Sequence, residues 1–191
     1  MEHQHFVIFK PFGYLSQFDN NDISKHKKKL LGEFYNFPEN IMAIGRLDEK
    51  SEGLLFLTTD GNMSELARSC HFEKEYYVQV DGDIPPEAIE NLQKGVEIGF
   101  HGIKYMTNNC TVFKLTEKPQ FPDRGKKIRD DRHGPTSWIS ITLTEGKFRQ
   151  IRKMTAAVGF PTLRLVRVRI GSHFIDLMKV GEVKELNSFI K

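Results

Sequence analysis

The sequence predicts an α+β fold, a largely antiparallel sheet flanked by few helices. Three observations predict it. Short apolar runs of strand length recur along the chain, few segments carry a helical period, and turn residues keep most connections short. With 191 residues, 39% hydrophobic and 28% charged, the chain has the composition of an ordinary globular protein and enough length for a substantial core.

Phe6-Val7-Ile8-Phe9 reads as a buried strand, stopped by Lys10-Pro11-Phe12-Gly13. Tyr14 to Phe18 reads as a second strand, and Asp19 to Lys29 is polar and basic. Ile41 to Ile44 is an apolar run that ends at Gly45-Arg46-Leu47-Asp48. Leu54 to Thr58 is a fully buried strand closed by Asp60-Gly61, after which Asn62 or Ser64 caps a short helix through Leu66 and Ala67.

Tyr76 to Val80 is strand-like. Pro86 opens a helix through Ile89 and Leu92 that stops near Gly95. Val112, Phe113 and Leu115 suggest another strand. Residues 118–135 are charged and rich in Pro and Gly, which predicts a long mobile loop. Trp138 to Leu143 alternates as a strand. Lys147 to Val158 is the clearest amphipathic helix, with Ile151, Met154, Thr155 and Val158 on one face and Gly159 and Pro161 as its stop. Leu163 to Ile170 is a strand in which Arg167 and Arg169 share the parity of Leu165. There is no internal repeat or heptad array.

A formal charge of +3 argues weakly for an anionic partner. Local clustering says more: Lys25, Lys27, Lys28 and Lys29 form one run, Arg124 to Arg132 another, and Arg149, Arg152, Lys153, Arg164, Arg167 and Arg169 enrich the last third. Each run also reads as a plain solvated face. Cys70 and Cys110 lie far apart and form no CxxC pair, so neither a disulfide framework nor a zinc cage is indicated. Cys70 beside His71 reads as core or surface filling rather than a nucleophile and its base. No stretch has signal-peptide or membrane-spanning character, and a soluble cytoplasmic protein with reduced thiols is expected.

Three constellations carry possible chemistry. Gly45-Arg46-Leu47-Asp48 is a loop between two buried strands that presents an acid beside a base, or else a turn with a surface ion pair. Arg149, Arg152 and Lys153 stand at i, i+3 and i+4 on the 147–158 helix, where mutual repulsion favours an anionic partner. Tyr76-Tyr77 places one ring in the core and leaves one for a cleft, since neighbouring strand residues point oppositely. Neither GxGxxG, GxxxxGK[ST] nor HExxH occurs, and nothing requires a metal or cofactor.

In order, these elements resemble the pseudouridine synthases of the RsuA family. Lys10-Pro11-Phe12-Gly13 is similar to that family's KPxG motif. Gly45-Arg46-Leu47-Asp48, continuing through Ser51, Gly53-Leu54-Leu55 and Asp60-Gly61, matches GRLDxxSxGLLxxTxDG. Lys74, Tyr76, Val78, Val80 and Gly82 fit KxYxVxVxG, and Glu145 to Met154 fits EGxxxQ[IV]R[RK]M. The match spans about Phe6 to about Gly181. Arg149 stands where the family usually has His. That departure, the Phe160 to Leu165 stretch and a first motif near residue 10 resemble the family's E subtype, which modifies 23S ribosomal RNA of the large ribosomal subunit.

The resemblance implies the pseudouridine synthase fold, with a mixed central sheet, two lobes and a central cleft. One bipartite catalytic domain over 1–191 is expected, with no separate N-terminal S4-like RNA-binding domain. It implies a monomer acting on ribosomal RNA, naked or in a pre-ribosomal particle, without a cofactor. The target uridine must be flipped from its stack. Asp48 is the implied catalytic carboxylate, with Arg152 as its counter-charge and Tyr76 stacked on the uracil. Ile151, Arg46, Gly45 and Leu47 would form the substrate-binding surface. Lys10, Arg149, Lys153 and Arg167 are candidates for RNA phosphates. The rival reading is a non-catalytic RNA-binding or ribosome-assembly protein. A nuclease lacks metal ligands and a His-centred base in this sequence.

Overall fold

The computed structural model describes residues 3–19, 28–63, 65, 72–100, 102–129, 131–176 and 178–189. The chain divides into two compact units, one made of Met1–Phe72 with Arg167–Lys191 and the other of Glu73–Val166. Strands dominate and helices are few.

In the first unit, β1 (His5–Lys10) pairs antiparallel with β3 (Glu52–Thr58), with Phe6 opposite Leu57 and Lys10 opposite Gly53. β2 (Met42–Ile44) and β11 (Val183–Leu186) add antiparallel to β3 and β1, and β3 also borders β9 (Thr162–Ile170), within which the boundary between the units falls. The strand β10 (His173–Phe174) folds back on the end of β9. The sheet is buried on both faces, which is why β1 and β3 read as continuous apolar runs rather than alternating ones. Val7, Phe9, Leu54 and Phe56 pack on one face with Ile44, Ile170, Met178 and Phe189. Phe6, Ile8, Leu55 and Leu57 pack on the other with Leu31.

The expected strand over Tyr14 to Phe18 is not formed. The segment makes one isolated parallel bridge, Tyr14 to Lys29. Beside that bridge the Leu15 N–H donates to the Lys29 carbonyl and the Gln17 carbonyl accepts the Leu31 N–H, while the Tyr14 carbonyl accepts from Lys10 and the Ser16 hydroxyl bonds Leu47. The helix expected from Asn62 or Ser64 through Ala67, the Cys70-His71 pair and Lys25 and Lys27 lie wholly or mainly outside the described residues.

In the second unit, β4 (Lys74–Asp81) pairs antiparallel with β8 (Thr136–Leu143), and β8 with β7 (Thr111–Lys114). The helix α1 (Pro86–Lys94) has Pro86 at its first position and buries Ala88, Ile89 and Leu92. A hairpin of β5 (Glu97–Phe100) and β6 (Ile103–Met106) was not expected.

The second helix, α2 (Gln150–Ala157), starts three residues later than the apolar period suggested. Arg149 sits at φ 53°, outside helical space, so the chain enters the helix through a left-handed residue. Only Arg152 and Lys153 of the expected basic triad therefore lie on the helix. Among the described residues of 118–135 the regular structure is a short 3-10 turn at Asp131–His133, and several side chains tie the segment down. Phe121 packs between the rings of Tyr77 and Trp138, with the Arg164 guanidinium 5.4 Å from its centroid. Arg164 also donates to the Pro122 carbonyl at 2.9 Å, and Arg129 pairs with Asp81.

Candidate active site

The first unit assembles a buried charged corner where β1 ends. Lys10 is fully buried, and its Nζ donates to the carbonyls of Pro11 at 2.8 Å and Tyr14 at 2.7 Å. Burial pulls this ammonium down to about 7, opposed by Glu52; Arg167 adds to the lowering, while Asp48 and Glu49 counter it. Arg167, on β9, is also buried and donates from Nε to the Leu54 carbonyl at 2.6 Å. Gly53 lets these strands approach: it sits at φ 108°, and a Cβ there would lie 2.2 Å from the Arg167 carbonyl oxygen.

Asp48 is half-buried in the loop between β2 and β3, and its carbonyl accepts the Ser51 N–H at 2.9 Å. Leu47 is buried and anchors the loop, while Gly45 and Arg46 are exposed. Asp48 and Arg167 are thus both brought into electrostatic range of Lys10 within this unit. Burial corrects the expectation that Lys10 and Arg167 meet RNA phosphates, because both cations are turned into the protein and spend donors on backbone carbonyls.

Tyr76, Ile151, Arg152, Arg149 and Lys153 belong to the second unit. Tyr76 is buried on β4, and Tyr77, its neighbour, is half-buried and packs on Phe121. Burial pushes the Tyr77 phenol up, with the Glu75 charge adding to the rise. On α2, Gln150, Ile151, Met154 and Thr155 are buried, Arg152 and Lys153 are half-buried, and Arg149 is exposed. Lys153 donates from Nζ to the Gly99 carbonyl at 2.7 Å.

Glu145 opens the EGxxxQ[IV]R[RK]M stretch, and its role shows only in its contacts. Its carboxylate accepts from the Tyr105 hydroxyl at 2.6 Å, from the Asn108 N–H at 2.9 Å and from the Gln150 amide. The Gln150 Oε1 in turn accepts the Lys147 N–H at 2.9 Å, so one carboxylate ties the β5–β6 hairpin to the start of α2. The Cys110 thiol donates to the Leu92 carbonyl, and burial pushes it up to about 11, which disfavours the nucleophilic thiolate. Among the described residues, no group of three or more His, Cys, Asp or Glu side chains is arranged to hold a metal ion.

The family model described as RNA pseudouridylate synthase matches residues 4–157. A ribosomal large subunit pseudouridine synthase E from Xanthomonas axonopodis pv. citri (strain 306) is 42% identical over 174 residues, covering 90% of this chain and 88% of that relative. The protein of the same name from Vibrio parahaemolyticus serotype O3:K6 (strain RIMD 2210633) is 37% identical over 189 residues, covering 97% of this chain and 75% of its own length. Among solved structures, a pseudouridylate synthase crystal structure superposes with a TM-score of 0.73 at 25% identity, covering 97% of this chain and 70% of that one. A motif series, a family match over most of the chain and a shared fold agree: the chain belongs to the RNA pseudouridylate synthase family.

Proposed function

We propose that this protein isomerises a uridine of ribosomal RNA to pseudouridine, with Asp48 as the catalytic carboxylate. The observation that carries the reading is the 42% identity, over nine-tenths of the chain, to a relative named for that activity. The relatives are named for the large ribosomal subunit, and we assign its 23S ribosomal RNA as the target. The reading extends to a monomer working in the cytoplasm; no helix among the described residues is long and apolar enough to cross a membrane.

The reaction breaks the bond from the ribose C1′ to N1 and makes one from C1′ to C5, and the C5 proton leaves while N1 gains one. Nothing is oxidised, and no co-reactant is needed. Flipping the nucleotide costs a few kcal/mol, which contacts to the RNA must supply. Asp48 acts at C1′ or on the uracil ring, and either role needs an anion. Arg152 is assigned as its counter-charge. Tyr76 stacks on the base and assists removal of the C5 proton, and Ile151 closes the other side. Arg46 fills the gap left in the RNA, next to Gly45 and Leu47. Arg149 and Lys153 meet phosphates.

Tritium release from 5-tritiated uridine in a 23S ribosomal RNA transcript tests the proposal. Wild type releases tritium and Asp48→Asn does not. Release by both proteins would remove Asp48 from the chemistry, and release by neither would remove the activity.

A further inference from the structure

We infer that Ser16 is a positioning residue for Asp48, holding the loop that presents the carboxylate through a reciprocal pair of hydrogen bonds to Leu47. The inference rests on Asp48 being the catalytic group, as proposed above. The Ser16 hydroxyl donates to the Leu47 carbonyl at 2.8 Å and accepts the Leu47 N–H at 3.0 Å. Ser16 and Leu47 are 8% and 6% exposed, so water does not compete for either bond. On the other side of Asp48, the Gly13 N–H donates to the Glu49 carbonyl at 2.7 Å. Asp48 is therefore bracketed, its two chain neighbours held by one segment three residues apart.

That segment is itself fixed. Lys10 reaches across it from β1 to the carbonyls of Pro11 and Tyr14. The Leu15 N–H donates to the Lys29 carbonyl at 3.0 Å. The ties at Leu47 run through the Ser16 side chain, whereas the tie at Glu49 runs through the Gly13 backbone. A hydroxyl at position 16 satisfies donor and acceptor together, which no apolar side chain can do. Its loss frees the Leu47 side of the loop while the Glu49 tie and the Lys10 anchor remain. The fold persists, and Asp48 loses its fixed bearing on a reacting atom. A displacement of about 1 Å at a reacting group costs roughly a hundredfold in rate.

The experiment measures kcat and KM for tritium release from the same 23S transcript with wild type, Ser16→Ala, Ser16→Cys, Ser16→Thr and Asp48→Asn, each scaled to the folded fraction by circular dichroism. Ser16→Ala is expected to lower kcat by about 10- to 100-fold with KM within about twofold. Ser16→Thr, which keeps the hydroxyl, is expected to recover most of kcat, and Ser16→Cys, a weaker donor, to fall between. An unchanged kcat in Ser16→Ala with Asp48→Asn inactive overturns the inference and leaves the Asp48 reading standing. Should Ser16→Ala fail to fold, wild-type kcat in Ser16→Cys overturns it just as well. A folded Ser16→Thr as slow as the alanine or cysteine variant also overturns it. Activity in Asp48→Asn removes the reading beneath it.

Discussion

The backbone oxygen of Arg167 lies where the side chain of residue 53 would begin, 2.2 Å from an ideal Cβ on Gly53. The clash is with backbone, which has no rotamer to yield, and φ at this position is 108°.

Gly53→Ala must therefore push β3 and β9 apart or abandon the left-handed conformation. We expect a loss of at least about 2–4 kcal/mol in unfolding free energy, from backbone strain and overpacking together. Urea denaturation followed by circular dichroism reads it directly. A shift in midpoint equivalent to less than about 1 kcal/mol would show that the strands separate easily.

Lys10 ties stability to pH. Its ammonium is lowered to about 7 in the folded protein from an ordinary value of 10.5. Between those values the unfolded chain binds the extra proton, so the Lys10 contribution is fully present above about 10.5 and is lost as pH falls through about 7. Wild type should gain stability relative to Lys10→Met as pH rises from 7 to 9.5, by up to about 1.4 kcal/mol per pH unit. Urea midpoints of both proteins at pH 6.5, 8 and 9.5 check it, and parallel curves would show that Lys10 keeps its charge throughout.

Arg149 is exposed at the entry to α2, whereas Lys10 and Arg167 are buried. Arg149→Ala should weaken binding to a 23S transcript and reduce the salt slope of log K by about one. Filter binding between 50 and 200 mM salt measures this. Lys10→Met should leave that slope unchanged; an equal drop in both variants would contradict the assignment of surface and interior cations.

Much of this was legible in the sequence for a physical reason. Where a strand is buried on both faces, as β1 and β3 are, every position is apolar and the run stands out. Pro86 and Gly95 bound α1 where the chain says they should. The hairpin over 97–106 escaped because its strands are four residues each, with Ile103 and Met106 largely exposed. Its support is not periodic but specific: the Thr107 hydroxyl accepts the Val96 N–H, and Glu145 holds Tyr105.

The arrangement around the candidate site was less legible. Cations are rarely fully buried, so Lys10 and Arg167 looked like surface contacts until their carbonyl partners were seen. Tyr14 to Phe18 read as a strand because a local pattern cannot show that a hydroxyl will take a backbone partner 31 residues away. Arg149 fitted the helical period, but the Gln150 side chain already occupies the Lys147 N–H and the helix begins after it.

The second unit interrupts the first in sequence: residues 73–166 stand between the two pieces of the unit that carries Asp48. On a ribosome, Glu73–Val166 emerges as an unbroken stretch, whereas β1, which meets β3 early, waits for its second partner, β11, until the chain has been extended beyond Leu186. The half that holds the carboxylate is thus completed last, and its assembly depends on contacts of long sequence separation that form slowly.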